Sequence, residues 1–180
     1  MDNEKMIMIA LEEGFANAAV ISTDELVFRP EFRMFCEDNA CGNYNRNYGC
    51  PPACGSVNEM RDRVLKYKNA IVFQSMTEME DIFNSAATKV LKKQHTSRTL
   101  HVLKQYEKEG LPLNGLSIMA GPCNYCPECK LISGEPCCFP KMRFSCLSAY
   151  CIDSNKLAET CGMELSWTNN IASFFSIYCF

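Results

Sequence analysis

The sequence predicts an α/β or α+β fold, a small mixed sheet flanked by helices and carrying two cysteine-rich metal-binding loops. Three observations lead there. Segments of helical periodicity alternate with short apolar runs of strand length. Nine of the thirteen cysteines collect in two irregular stretches, at about residues 35–55 and 121–140, that interrupt this alternation. The 180 residues are 47% apolar and 22% charged, enough to bury one core, so a single domain over residues 1–180 is expected.

Taken in order, residues 2–16 place Met6, Ile9 and Ala10 near one face with Phe15, and Gly14 stands where a helix would be capped. Residues 18–22 and 26–29 read as short strands about a Thr23-Asp24-Glu25 turn. Ser56 with Glu59 three places on is a capping box, predicting a helix over residues 57–67. The run AIVFQS at 70–75 fits a buried strand. Thr77 and Glu80 repeat the capping signature and predict a long helix toward Gly110, with a break near Ser97. Residues 116–120 form a strand that delivers the chain into Gly121. A helix over 154–160 ends before Gly162, and residues 163–167 and 171–178 alternate as a hairpin across Asn169-Asn170. Trp167 and the apolar run ASFFSIYCF read as core or hairpin packing. A second reading of that last strand is a sheet edge joining two copies in a homodimer.

Composition excludes several classes. A formal charge of −3 carries no nucleic-acid footprint. No run reaches the roughly 18 apolar residues of a membrane span. The acidic start MDNEKMIMIALEEG lacks the basic region and cleavage site of a signal peptide, so a cytoplasmic location is expected. There is no G-x-G-x-x-G loop and no P-loop. His95 and His101 are six residues apart, about 600° around a helix, and share no face as a ligand pair. Cysteines clustered in a cytosolic chain point to metal or redox chemistry, and an odd number argues against a disulfide framework.

In the second stretch, GPCNYCPECKLISGEPCCFP, Cys123, Cys126 and Cys129 stand at C-x2-C-x2-C spacing. Such a triplet wraps one turn of backbone around an inorganic centre and presents three thiolates to it. It resembles the first three cysteines of the bacterial ferredoxin run C-x2-C-x2-C-x3-C-P. It departs at the fourth, since Cys137 follows after seven residues, with Cys138 as its close competitor. A 4Fe–4S cluster suits this triplet better than zinc, which commonly takes two C-x2-C knuckles.

The first stretch supplies Cys36, Cys41, Cys50 and Cys54 at C-x4-C-x8-C-x3-C, with Pro51 and Pro52 stiffening the backbone after Cys50. These four favour a second metal centre; a single site sharing ligands from both loops is the competing arrangement. Cys146, Cys151, Cys161 and Cys179 stand at no ligand spacing. Cys161 and Cys179 read as core filler, and Cys146 lies nearest the second loop.

The pattern R-x2-C-x4-C-x2-Y-x5-C-P-P, formed by Arg33, Cys36, Cys41, Tyr44, Cys50, Pro51 and Pro52, is joined by CNYCPEC, the C-x-F-P at Cys137 to Pro140 and the later IDSNKLAETCGMEL. Together these motifs resemble an uncharacterised bacterial and archaeal family of cysteine-rich predicted metal-binding proteins, carried as a domain of unknown function. The resemblance runs from about residue 15 to the C-terminus. It implies metal binding, by iron–sulfur clusters in anaerobe-type metabolism, and no assigned reaction. Cys36, Cys41, Cys50, Cys123, Cys126, Cys129 and Cys137 fall on family cysteine positions, whereas Cys54, Cys138, Cys146 and Cys151 read as additions. The first loop's fourth ligand is then Cys54, a non-protein ligand or a cysteine from the other loop.

Three functions are expected in competition. The first is electron transfer or redox support by one or two 4Fe–4S clusters, with a redox partner protein. The second is an iron–sulfur enzyme binding a small molecule at an open cluster iron, helped by Arg33, Tyr44, Arg46, Tyr125, Lys141 or Arg143. Each of these six has an alternative role as a solvated charge or a hydrogen bond that tunes cluster sulfur. The third is a structural zinc protein with an interaction role.

Overall fold

The computed structural model describes residues 2–111, 114–165 and 170–180. Among these, five helices and a five-stranded mixed sheet make an α+β fold. The chain runs α1 (Asn3–Glu12), β1 (Asn17–Ser22), α2 (Arg33–Glu37), α3 (Val57–Val64), β2 (Asn69–Glu78), α4 (Ser85–Lys108), β3 (Leu116–Met119), β4 (Ser145–Cys146), α5 (Ser154–Cys161) and β5 (Ile171–Cys179). Strand order is β1-β2-β5-β3-β4; all neighbours are antiparallel except β3 and β4, which run parallel.

Both faces of the sheet are covered, which is why β2 and β5 read as continuous apolar runs instead of alternating. Ala70 and Val72 of β2, with Phe175, Ile177 and Cys179 of β5, face Met60 and Val64 of α3 and Leu157 and Ala158 of α5. Ile71, Phe73 and Tyr178 face the other way, onto Met6 and Ala10 of α1 and Val102, Leu103 and Tyr106 of α4. At the junction of β3 with β5 the backbones come so close that a Cβ on Gly115 would lie 2.1 Å from the Cys179 carbonyl oxygen. Glycine is required there, and its N–H donates to the Tyr178 hydroxyl at 3.0 Å.

Where helices begin, local chemistry decides. Ser56 accepts from the Glu59 N–H while Glu59 returns a bond to the Ser56 N–H, the expected capping box. Asp153 caps α5 through the N–H groups of Asn155 and Lys156, and Gly162 ends it at φ 64°.

Four expectations are corrected by tertiary pairing. Thr77 lies inside β2, opposite Ala172, and the long helix starts later, capped by Asn84. A strand partner outweighs a capping signature because it satisfies the same backbone donors. Ser97 does not break α4; it is exposed and leaves the ladder intact. Residues 26–29 form no second strand. A 3₁₀ turn at Thr23–Glu25 diverts them so that Phe28 makes a single bridge to Ile152. Residues 163–165 are not a hairpin arm, and residues 166–169, Trp167 and Asn169 included, lie outside the described residues. β5 pairs instead with β2 and β3, so it sits inside the sheet and offers no edge to a second copy.

One polar group is built into the core. His95 of α4 is 2% exposed, with Nδ1 2.6 Å from the Ser75 hydroxyl and Nε2 2.9 Å from that of Ser176. Thr99 ties in at 2.7 Å from Ser176, and its hydroxyl donates to the His95 carbonyl. Burial, helped by the Arg98 charge, pushes the imidazole down to about 3, so it is neutral and pins α4 across the sheet. A histidine held neutral in the fold but free to protonate when unfolded stabilises the protein above pH 6.5. That contribution is lost as pH falls from 6.5 toward 3. Urea unfolding at pH 7.5 and pH 5 should show the native chain losing about 2 kcal/mol more than His95→Gln, which lacks the titrating group. Equal losses in the two proteins would contradict this. Ser176→Ala should cost about 1–3 kcal/mol at pH 7.5 by orphaning Nε2.

Candidate metal centre

Both cysteine loops meet at the end of the sheet where β3 and β4 finish. Met119 and Cys146 are register partners, and the Leu147 N–H reaches back to the Met119 carbonyl at 3.2 Å. The parallel pair therefore brings Cys146 beside the point where β3 releases the chain into the second loop. The first loop is brought to the same place by the crossing of residues 27–29 with the segment after β4. There the Arg29 N–H donates to the Cys151 carbonyl at 2.8 Å and the Asp153 N–H to Val27 at 2.9 Å. α2 follows at once, with Arg33 and Cys36 one turn apart on the same face.

The loops are then locked to each other. Asn47, buried, donates from its side-chain amide to the Cys123 carbonyl at 2.8 Å and accepts from the Gly49 N–H at 2.8 Å. A Cβ on Gly49 would stand 2.1 Å from the Phe144 carbonyl oxygen and 3.2 Å from the Cys123 Cβ, so only glycine lets the strands of loop pass this closely. The Tyr48 N–H donates to the Cys129 sulfur at 3.4 Å, and its hydroxyl donates to the Glu135 carbonyl at 2.9 Å.

All thirteen cysteines are free thiols. Two groups of them emerge. Cys123, Cys126, Cys129, Cys137 and Cys138 line one small pocket, closed by Asn47, Tyr48, Tyr125, Phe139 and Arg143. Cys126 and Cys138 share a hydrogen bond. Burial, then Cys138, Cys123 and Cys129, raise the Cys126 thiol above its ordinary range. The Tyr125 ring packs against Phe139 at 5.8 Å and Phe144 at 5.5 Å, making an aromatic wall, and Arg143 lies over the Tyr48 ring at 5.9 Å.

The second group is Cys36, Cys41, Cys50 and Cys146. Burial first, then the Cys146 charge, pushes Cys36 up to about 12, with Cys41 adding and Arg33 opposing. Cys50 is raised by burial and then by Cys146, Cys41, Cys54 and Cys36. Cys146 is raised by burial, and three features oppose that rise: the Ala149 N–H, the Lys92 charge and the Ser148 N–H. Backbone N–H groups and a lysine aimed at one sulfur favour its thiolate form.

Cys54 is placed differently from its three sequence neighbours. It is 2% exposed, 3.3 Å from the Met60 sulfur and 3.8 Å from Arg33 Nη1, within the core. Cys151 shares the Arg33 guanidinium, whose Nη2 also lies 3.5 Å from the Met60 sulfur. Arg33 Nε is buried without a partner among the described residues. Cys161 and Cys179 pack in the core, as their lack of ligand spacing implied, and burial holds Cys179 up at about 12. Of the other candidate helpers, Tyr125 and Arg143 line the five-cysteine pocket. The Tyr44 N–H is spent on the Asn39 side chain, and Lys141 is exposed. His101 is at the surface, 3.4 Å from Glu13 and apart from both groups.

Among the described residues, no three His, Cys, Asp or Glu side chains converge closely enough to hold a metal ion as they stand. The donor chemistry nonetheless fits a thiophilic metal or cluster. Each group offers at least four sulfurs in place of a mixed oxygen set, and one sulfur already receives a backbone N–H. Loading requires each ligating thiol to release its proton, and an added cation offsets the thiol–thiol repulsion that contributes to raising Cys36, Cys50 and Cys126. The sequence leaves Cys146 as no more than a possible fourth ligand, because it lies 110 positions from Cys36; the β3–β4 pairing and the crossing of residues 27–29 with residues 151–153 bring the two together.

A family model described as predicted metal-binding protein (DUF2284) matches residues 19–179. No curated protein and no solved structure matches the chain. With that match running from β1 through both cysteine loops to the last residue of β5, the chain belongs to this family of predicted metal-binding proteins, a domain of unknown function.

Proposed function

We propose that the protein holds two 4Fe–4S clusters and passes electrons to or from a redox partner protein. One centre uses Cys36, Cys41, Cys50 and Cys146. The other uses Cys123, Cys126, Cys129 and one of the adjacent pair Cys137 and Cys138. The observation that carries this reading is the pocket lined by five cysteines, three of them the C-x2-C-x2-C triplet and two the adjacent pair Cys137 and Cys138. An all-sulfur donor set with a Tyr48 N–H on Cys129 is chemistry that iron–sulfur clusters use, since N–H···S bonds adjust the reduction potential.

When bound, the clusters supply one-electron transfer; the chain supplies position, charge and shielding. Asn47 and Gly49 hold the two loops in contact, so the two centres are neighbours. Tyr125, Phe139 and Phe144 give one side of the second centre an aromatic lining. Arg33 holds positive charge beside Cys36, and Lys92 does so beside Cys146, compensating the excess negative charge of thiolates.

Protein purified without oxygen should be brown and contain about eight iron and eight sulfide per chain, with an EPR signal on reduction. Colourless protein carrying only zinc would overturn the electron-transfer reading and leave a structural one. Cys146→Ser and Cys126→Ser should each remove about half of the iron, because each empties one centre. Cys54→Ser should leave the iron content unchanged and cost stability alone. Iron loss in Cys54→Ser with retention in Cys146→Ser would return the fourth position to Cys54. Gly49→Ala should lower iron in both centres while far-UV circular dichroism stays native, since its Cβ would collide where the loops meet and not in the sheet.

A further inference from the structure

The N-terminal half of α4 stands off from the two cysteine loops, leaving an open groove of about 1120 Å³. Its floor includes Cys41 of the first loop and Cys123, Cys126 and Cys129 of the second. The helical wall presents Lys89, Lys92 and Lys93, which the 3.6-residue period sets on one face with Thr88 and Thr96. From the opposite loop comes Arg46, and the groove's lining holds one carboxylate, Glu128.

Four cations facing one acid is a local reversal in a chain of net charge −3. Among the described residues none of the four is in an ion pair, although four lysine or arginine pairs form elsewhere. At Lys92 the helix closes on the loop: a Cβ at Gly121 would touch the Lys92 Cβ at 3.5 Å. Unpaired like charges converging on a concave site repel one another unless an anion lies between them. The groove is concave and of ligand size, which favours a small molecule over a flat protein surface. Hydroxyls on the helix, the half-buried Ile82 and the exposed Phe83 and Ile132 side chains at the groove give such a molecule polar and apolar contacts besides charge.

We propose that this groove binds a small organic anion, a carboxylate or phosphate ester, gripped by Lys89, Lys93 and Arg46 with its body toward Cys41 and Cys123. The anion site stands on these side chains alone; its service to a metal centre rests on the iron–sulfur reading.

The test is calorimetric titration of the full chain, purified without oxygen, with inorganic phosphate and with succinate, each up to about 10 mM. Saturable binding of one equivalent of either is expected, and which of them binds tells phosphate from carboxylate. Lys89→Gln/Lys93→Gln and Arg46→Gln should each weaken it about tenfold. The control Lys66→Gln/Lys68→Gln, two exposed lysines away from the groove, should leave it unchanged. Iron content should be the same in all. No saturable binding of either probe overturns the proposal, even where an acidic protein is captured instead. Equal weakening by the control pair also overturns it, since attraction is then diffuse. So does iron loss in the groove variants without anion binding, because the lysines then only neutralise the thiolates. Anion binding with this variant pattern in protein that holds no iron would sustain the anion site while removing the electron-transfer reading.

Discussion

Asn47 is the small part on which the arrangement of the cysteines turns. Its side chain is buried where the two loops touch and is hydrogen-bonded to both, to the Cys123 carbonyl on one side and the Gly49 N–H on the other. A buried amide with its partners satisfied specifies one arrangement, because any slip would leave polar groups unpaired away from water. Gly49 completes the lock by removing the Cβ that would hold the loops apart. Neither residue offers a metal ligand, yet both set where the sulfurs stand.

The constraint on those sulfurs is electrostatic. Bringing these thiols into one half-buried space raises Cys36, Cys50 and Cys146, by burial first and then by neighbouring thiol charge. The fold answers with positive charge and oriented donors: Arg33 under the first group, Lys92 and two backbone N–H groups on Cys146, and the Tyr48 N–H on Cys129. Placing several such donors around thiols has no evident use in a core made only for packing. It is intelligible if the thiols are to act as anions, bound to a cationic centre.

The sheet serves as a rigid rim for this end of the molecule. Covered on both faces, it holds β3 and β4 so that their last residues open side by side. α4 is secured to the sheet by His95, Thr99 and the apolar residues of its second half. Its first half is thereby left to stand over the loops as the wall of the cationic groove. One helix thus belongs to the core along one stretch and to the candidate site along another.

Whatever depended on neighbours in sequence was determined by the sequence itself. The α+β class, the Ser56–Glu59 capping box, the buried strand of AIVFQS and the triplet Cys123, Cys126 and Cys129 all follow from spacings shorter than about two helical turns. The tertiary structure alone decided what required distant partners. It drew Thr77 into a strand by pairing it with Ala172 and placed β5 inside the sheet. It also turned Cys54 toward Met60 and set Cys146 beside Cys36 and Cys50 across more than ninety residues of chain. The physical reason is that backbone donors and buried sulfurs take the partner that the packed chain supplies, and no local pattern encodes which one that is.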